Sequence, residues 1–187
     1  MFCSMFAHAQ PERTMCNNAR DRGSPDIAQK TKRRRGPRAR AGTGLYAAID
    51  LGTNNCRLLI VEATRNSFRV RDSFSRIVRL GEGLDKDGVL SEGAMARTLS
   101  ALSICASKIR KAGVSRVRCV ATEACRNAGN GPNFIKRVHD ETGLRLEIID
   151  GAAEAELATV GCGSLFENHA DHIIVFDIGG GSTEIMR

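Results

Sequence analysis

Two glycine-rich turns, each entered by an apolar strand that ends on an aspartate, constrain this 187-residue chain more than any other feature. The first is Ala48-Ile49-Asp50-Leu51-Gly52-Thr53-Asn54-Asn55, and the second is Val175-Phe176-Asp177-Ile178-Gly179-Gly180-Gly181-Ser182-Thr183-Glu184. A bend of this kind directs several backbone N–H groups at one point with no side chain in between, which suits a phosphate oxygen. An aspartate at the strand end suits a magnesium ion or its bound water. Two such devices in one chain imply a polyphosphate gripped from two sides. Three consecutive glycines weaken a strand through backbone entropy, and close approach of the backbone to a ligand is the reason read for them here. The first turn taken alone also fits a plain hairpin. Glu184 follows Asp177 by seven residues, so a chain that reverses at the glycines turns both carboxylates toward one cleft.

Between the turns the apolar pattern alternates between strand and helix. Strands are expected at Tyr46 to Leu51, Arg57 to Glu62 and Phe68 to Leu80, with a turn at Arg65-Asn66-Ser67. Joined by short turns, they form an antiparallel meander. Gly81 to Gly88 reads as a loop. Ser91 is a helix N-cap, and Met95, Leu99, Leu102, Ala106 and Ile109 repeat at helical spacing up to the stop at Gly113. A strand at Val117 to Ala121, a short helix at Thr122 to Ala128 and a helix opened by Pro132 follow. A strand at Leu144 to Ile149, a helix within Gly151 to Leu165 and a last strand at Ile173 to Ile178 complete the order. Helical crossovers between the later strands imply a mixed α/β sheet with helices on its faces. The order βββ-α-β-α-β-α matches one lobe of the ribonuclease H-like, actin-like ATPase fold, in which two lobes face each other across a cleft. The expected division is a basic tail over 1–44, a first lobe over 45–170, and the opening strand and phosphate loop of an incomplete second lobe over 171–187. The partner strand of the second hairpin is expected to be barely begun.

Charge separates the tail from the rest. Residues 1–44 hold ten Lys and Arg against three Asp and Glu, whereas the remainder carries eighteen of each sign. The overall +7 therefore resides in the tail. The run Lys30 to Arg40 has no apolar periodicity and reads as disordered. Without interleaved aromatics it is at most a weak nucleic-acid contact. No apolar run approaches the roughly 20 residues of a membrane span, and the expected location is the cytoplasm. Seven cysteines with no C-x-x-C pair indicate neither a zinc site nor a disulfide framework. His169 and His172, in a polar stretch, read as surface loop residues.

Two further segments carry chemistry. Ile148 to Leu157 ends a strand and opens a helix with Glu154 in its first turns. That carboxylate is either a dipole-stabilising acid or a general base that deprotonates water. In Ala121-Thr122-Glu123-Ala124-Cys125-Arg126, Arg126 follows a strand end, where it can reach a phosphate bidentately or serve as a surface arginine.

The segments AAIDLGTNNCRLLI, RIVRLGEGL, ATEACR, EIIDGAAEAEL and VFDIGGGSTEI, in this order and spacing, resemble the exopolyphosphatase / guanosine pentaphosphate phosphohydrolase family from about Tyr46 onward. The resemblance implies magnesium-dependent hydrolysis of terminal phosphoryl groups from inorganic polyphosphate or guanosine pentaphosphate. It implies that Glu154 activates water and that Asp177 and Glu184 lie near the metal and the attacked phosphate; Asp50, by its place at a strand end, is the further expected metal ligand. It places Gly52, Thr53, Asn54, Asn55, Gly179, Gly180, Gly181 and Ser182 in the phosphate loops, and Arg126 at a phosphate-binding arginine. The chain departs from the family at Ala153-Glu154, where members often have two glutamates, and at Asn55, where serine is frequent. It matches the first lobe and the opening hairpin of the second, so impaired activity and homodimer formation are further expectations. The alternatives are a fragment of an actin-like sugar or acetate kinase, which needs an adenosine pocket, and a non-catalytic remnant that binds polyphosphate.

Overall fold

A computed structural model describes residues 44–64, 67–163 and 172–187. The basic run, Cys3, Cys16, Arg65, Asn66 and His169 lie outside the described residues. Strands β1 (Leu45–Leu51), β2 (Asn55–Ala63) and β3 (Phe68–Ile77) form the antiparallel meander. After the short α1 (Leu84–Asp87) and the long α2 (Glu92–Ala112), β4 (Arg116–Ala121) pairs parallel to β1. Helices α3 (Glu123–Asn127) and α4 (Gly131–Thr142) lead to β5 (Leu146–Ile148), parallel to β4. The sheet order is β3-β2-β1-β4-β5. Helix α5 (Gly151–Cys162) then precedes a separate antiparallel hairpin, β6 (Val175–Ile178) and β7 (Thr183–Met186). The meander extended by parallel strands through helical crossovers is the ribonuclease H-like, actin-like α/β arrangement.

Alternation along β1 sets up the site. Ala47, Ile49 and Leu51 face the main core with Leu99, Leu102 and Cys105 of α2 and Phe134 and Val138 of α4. Ala48 faces the opposite side, in a smaller cluster with Val120, Ile149 and Leu157 of α5. Period-two geometry places Asp50 on that second face, the face α5 covers. Helix α2 is bounded as its sequence dictates. Ser91 Oγ accepts from Ala94 N–H at 3.2 Å, and Gly113, at φ 65°, closes the C-terminus.

Four boundaries differ from the sequence expectation. Strand β3 stops at Ile77 rather than Leu80, because Val78 and Arg79 turn their N–H groups to the Asn54 carbonyl, at 2.8 and 3.1 Å. The 81–88 loop contains α1, whose Leu84 is buried. Strand β5 has three residues, and its neighbours Leu144 and Ile149 are buried outside it. The second hairpin is more than begun, since all four residues of β7 pair with β6. Its Phe176, Ile178 and Ile185 are largely exposed, as expected of a strand pair without further partners.

Candidate active site

Asp50 is buried, and its Oδ1 has no hydrogen-bond partner. Burial raises its pKa above the usual carboxylate range, the Arg57 charge opposes this, and the Asp177 charge adds to it. Arg57 stands directly across the β1–β2 ladder from Asp50. Immediately beyond, the first turn is a two-residue bend closed by Gly52 N–H donating to the Asn55 carbonyl at 2.9 Å. The amide of Gly52 is therefore committed inside the turn and does not face a ligand. The Thr53 and Asn54 amides enter no backbone hydrogen bond among the described residues. The segment after β3 straps the turn from behind. Gly81 N–H donates to the Thr53 carbonyl at 3.1 Å, alongside the two bonds to Asn54. The carbonyls of Thr53 and Asn54 are thus occupied, while their amides have no backbone acceptor among the described residues and Thr53 and Asn54 line the cleft.

Glu154 comes from the first turns of α5. Asp150 caps this helix, its side chain accepting from Ala153 N–H at 2.8 Å, and Glu154 N–H donates to the Asp150 carbonyl at 3.0 Å. The Glu154 side chain is buried. Arg126 Nη1 lies 3.3 Å from its Oε2 and donates to the Ile149 carbonyl at 2.7 Å. Burial raises the Glu154 pKa first, with the Glu184 charge adding and Arg126 opposing; Asp50 adds a smaller push upward. Arg126 therefore braces the carboxylate.

The second turn repeats the first. Gly179 N–H donates to the Ser182 carbonyl at 2.9 Å, so this amide too is internal. The hairpin packs on α5, and its glycines sit on the first turn. A Cβ on Gly180 would lie 2.8 Å from Asn54 Cγ and 3.2 Å from Thr53 Cβ; on Gly181 it would lie 2.6 Å from Glu123 Cδ. Glycine at 180 and 181 thus also lets the second turn lie against Asn54 and Glu123, a reason for the run beside close approach to a ligand. The two turns enclose a cleft of about 300 Å³ lined by Asp50, Gly52, Thr53, Asn54, Asn55, Glu154, Asp177, Gly179, Gly180 and Ser182, all expected from sequence. Arg57, Thr122 and Ile178 also line it. Gly181, Arg126 and Glu184, also expected there, do not.

A profile of the Ppx/GppA phosphatase family matches residues 59–187. The chain belongs to this family. The bifunctional 3-dehydroquinate synthase/phosphatase of Fusobacterium nucleatum is 41% identical in a 150-residue alignment that covers 75% of this chain and 22% of that protein. The guanosine-5'-triphosphate,3'-diphosphate pyrophosphatase of Photobacterium profundum is 37% identical over 142 residues, 76% of this chain and 28% of that one. Among solved structures, the Ppx/GppA family member of Aquifex aeolicus superposes with a TM-score of 0.69 at 32% identity, covering 76% of this chain and 46% of the other. The exopolyphosphatase of Cytophaga hutchinsonii gives 0.70 at 34% identity, covering 75% and 45%. The chain thus spans less than half the length of each of these Ppx/GppA-related proteins.

The family resemblance implies a divalent cation, and the residues present fit one. Asp50 offers a buried oxygen without a partner, at the wall of a cleft that Asp177 also lines. Among the described residues no three His, Cys, Asp or Glu side chains converge as a ready ligand set. Magnesium is commonly held by one or two carboxylates, with phosphate oxygens and water completing its shell. Sequence reasoning missed Arg57 and Thr122 as cleft residues and Glu123 as a contact of both turns. Arg57 carries a sequence signal, being the first basic residue after the turn, but its register opposite Asp50 is a product of strand pairing. No local signal marks Thr122 or Glu123, which reach the turns only because β4 runs parallel beside β1.

Proposed function

We propose that this chain supplies the catalytic wall of a phosphoanhydride hydrolase that releases terminal phosphate from inorganic polyphosphate or guanosine pentaphosphate. The observation that carries the reading is the buried Glu154, its pKa raised, on a cleft floored by Asp50 and edged by two amide-bearing turns. A general base works best when its pKa approaches the operating pH, and burial moves Glu154 that way. In this reading the free amides of the turns hold the terminal phosphoryl group. Glu154 takes a proton from water while the water oxygen bonds to phosphorus. The phosphoanhydride P–O bond breaks, and the shortened chain leaves with the electron pair. Arg126, anchored on the Ile149 carbonyl, keeps the Glu154 carboxylate aimed. Asp50 and Asp177 would hold magnesium, which when bound supplies positive charge to the phosphate oxygens. Glu184 acts through its charge on Glu154 rather than from the cleft wall.

The division at about residue 170, with 171–187 opening a second lobe, belongs to the same proposal. No helix among the described residues is long and apolar enough to cross a membrane, and a phosphorylated solute is the substrate class the cleft suits. The test is phosphate release from polyphosphate, and separately from guanosine pentaphosphate, by the chain and by Glu154→Gln. Release without ADP that is lost in the variant supports the reading. Turnover only with ADP would favour the kinase alternative, and unchanged release in the variant would remove Glu154 from its role.

A further inference from the structure

Glu123 is absorbed by none of the chemistry above, yet it touches both phosphate turns. It opens α3 directly after β4, beside the C-terminal end of β1. Thr53 Oγ1 donates to Glu123 Oε2 at 2.8 Å, and Asn127 Nδ2 donates to Oε1 at 3.0 Å. Both carboxylate oxygens are therefore held. The same carboxylate lies against Gly181 so closely that a side chain there would displace it. Gly180 in turn rests on Asn54 and Thr53. The Thr53 methyl group is fixed on its other side by Gly81, where an added Cβ would collide with it. A hydroxyl has one proton to give. Thr53 commits it to Glu123, so its hydroxyl is not a donor to the cleft it lines.

We propose that Glu123 is a positioning residue, a latch that sets the separation of the two phosphate turns and the rotamer of Thr53. The proposal rests on the reading of those turns as the phosphate grip. It explains two sequence facts that phosphate binding leaves open. A glycine at 181 leaves the carboxylate beneath it in place, and the first turn carries a β-branched hydroxyl residue whose one branch meets Gly81 while the other meets Glu123. A charge-assisted hydrogen bond aligned this way is stronger than a neutral one, and its loss frees the carboxylate against which Gly181 rests.

The experiment has a ligand-free arm and a ligand arm, both on the whole chain. Amide hydrogen exchange at residues 179–182 is compared in the parent, Glu123→Ala, Thr53→Val and Glu123→Gln. The latch requires exchange about tenfold faster in Glu123→Ala and Thr53→Val, one such bond's worth, with α2 amides unchanged. Glu123→Gln still offers an acceptor to Thr53 and returns toward the parent. In the second arm, inorganic tripolyphosphate with magnesium is titrated calorimetrically. Affinity falls in Glu123→Ala and Thr53→Val and recovers in Glu123→Gln. Unaltered exchange at 179–182 in both weakened variants overturns the latch, as does an equal rise throughout α2. A parent that fails to bind tripolyphosphate while the exchange result holds removes the phosphate reading and leaves the latch between the turns standing.

Discussion

Replacing Asp50 by asparagine separates the cost of the buried carboxylate from its use. In the parent, Asp50 is 7% exposed and its Oδ1 has no hydrogen-bond partner. Leaving a buried polar group unsatisfied costs about 1–3 kcal/mol, and more when it is charged. Arg57 across the ladder returns part of that, and the Asp177 charge takes some away again. Asparagine keeps the shape and removes the charge but still buries an amide. We therefore expect a gain of about 1 kcal/mol at pH 8 without magnesium, the lower end of that range. For a chain of this size that is about 2–4 °C in Tm. The sign of the pH dependence follows from the raised pKa. The folded parent binds its proton more tightly than the unfolded chain, so its stability at this group is fully present below the unfolded pKa and is lost as pH rises through the folded one. The advantage of the Asp50→Asn variant should thus be largest at neutral to alkaline pH and disappear in acid. Magnesium reverses the comparison. An ion bound only to the folded state at about a hundredfold above its Kd adds about 2.7 kcal/mol, available to the parent and not to the variant. Thermal denaturation at pH 8 and pH 4, with magnesium and with EDTA, reads all four conditions. Equal Tm values at pH 8 in EDTA, or the same magnesium response in both proteins, would refute the reasoning.

Other expectations are quicker to state. Glu154→Gln should lower the rate of phosphate release by about 10²–10⁴-fold while tripolyphosphate affinity stays within a factor of about two, and single-turnover kinetics with calorimetry separates the two. The acidic limb of the pH–rate profile should move in opposite directions in two variants. Arg126→Gln removes the cation that lowers the Glu154 pKa and shifts the limb to higher pH, whereas Glu184→Gln removes a charge that raises it and shifts the limb to lower pH. Burial pushes the thiols of Cys119 and Cys125 up to about 12, so at pH 8 they should resist a thiol reagent until the chain unfolds. The half-buried Cys162 should label first among the described cysteines, as peptide mass spectrometry would show.

Much of the fold is legible locally. The ends of α2 are written in Ser91 and Gly113, and the face that packs in Met95, Leu99, Leu102 and Ile109, because caps and helical periodicity are short-range physics. Strand limits were less legible where a backbone group bonds outside its ladder. Val78 and Leu80 look like strand residues and are fully buried, yet the amides of Val78, Arg79 and Gly81 bond to the first turn. The second hairpin, expected to be barely begun, pairs fully over Thr183–Met186 while its Phe176 and Ile178 stay largely exposed. The cysteines kept the hydrophobic role that apolar neighbours imply, since Cys56, Cys105, Cys119 and Cys125 are free and buried.

Alone, the amino-acid order determined the element types apart from α1, and the two bends with their aspartates, since these depend on residues near one another along the chain, and the order and spacing of five short segments determined the family. Tertiary structure decided which of those residues share a surface. Pairing of β1 with β2 set Arg57 opposite Asp50, and the packing of α5 on the Ala48 face carried Glu154 to the same side. Contact between the turns showed that Gly180 and Gly181 make room for Asn54 and Glu123. Apart from the Asp50–Arg57 pair, which a short hairpin sets, those relations span tens of residues, and the closing of long loops by the packed fold creates them.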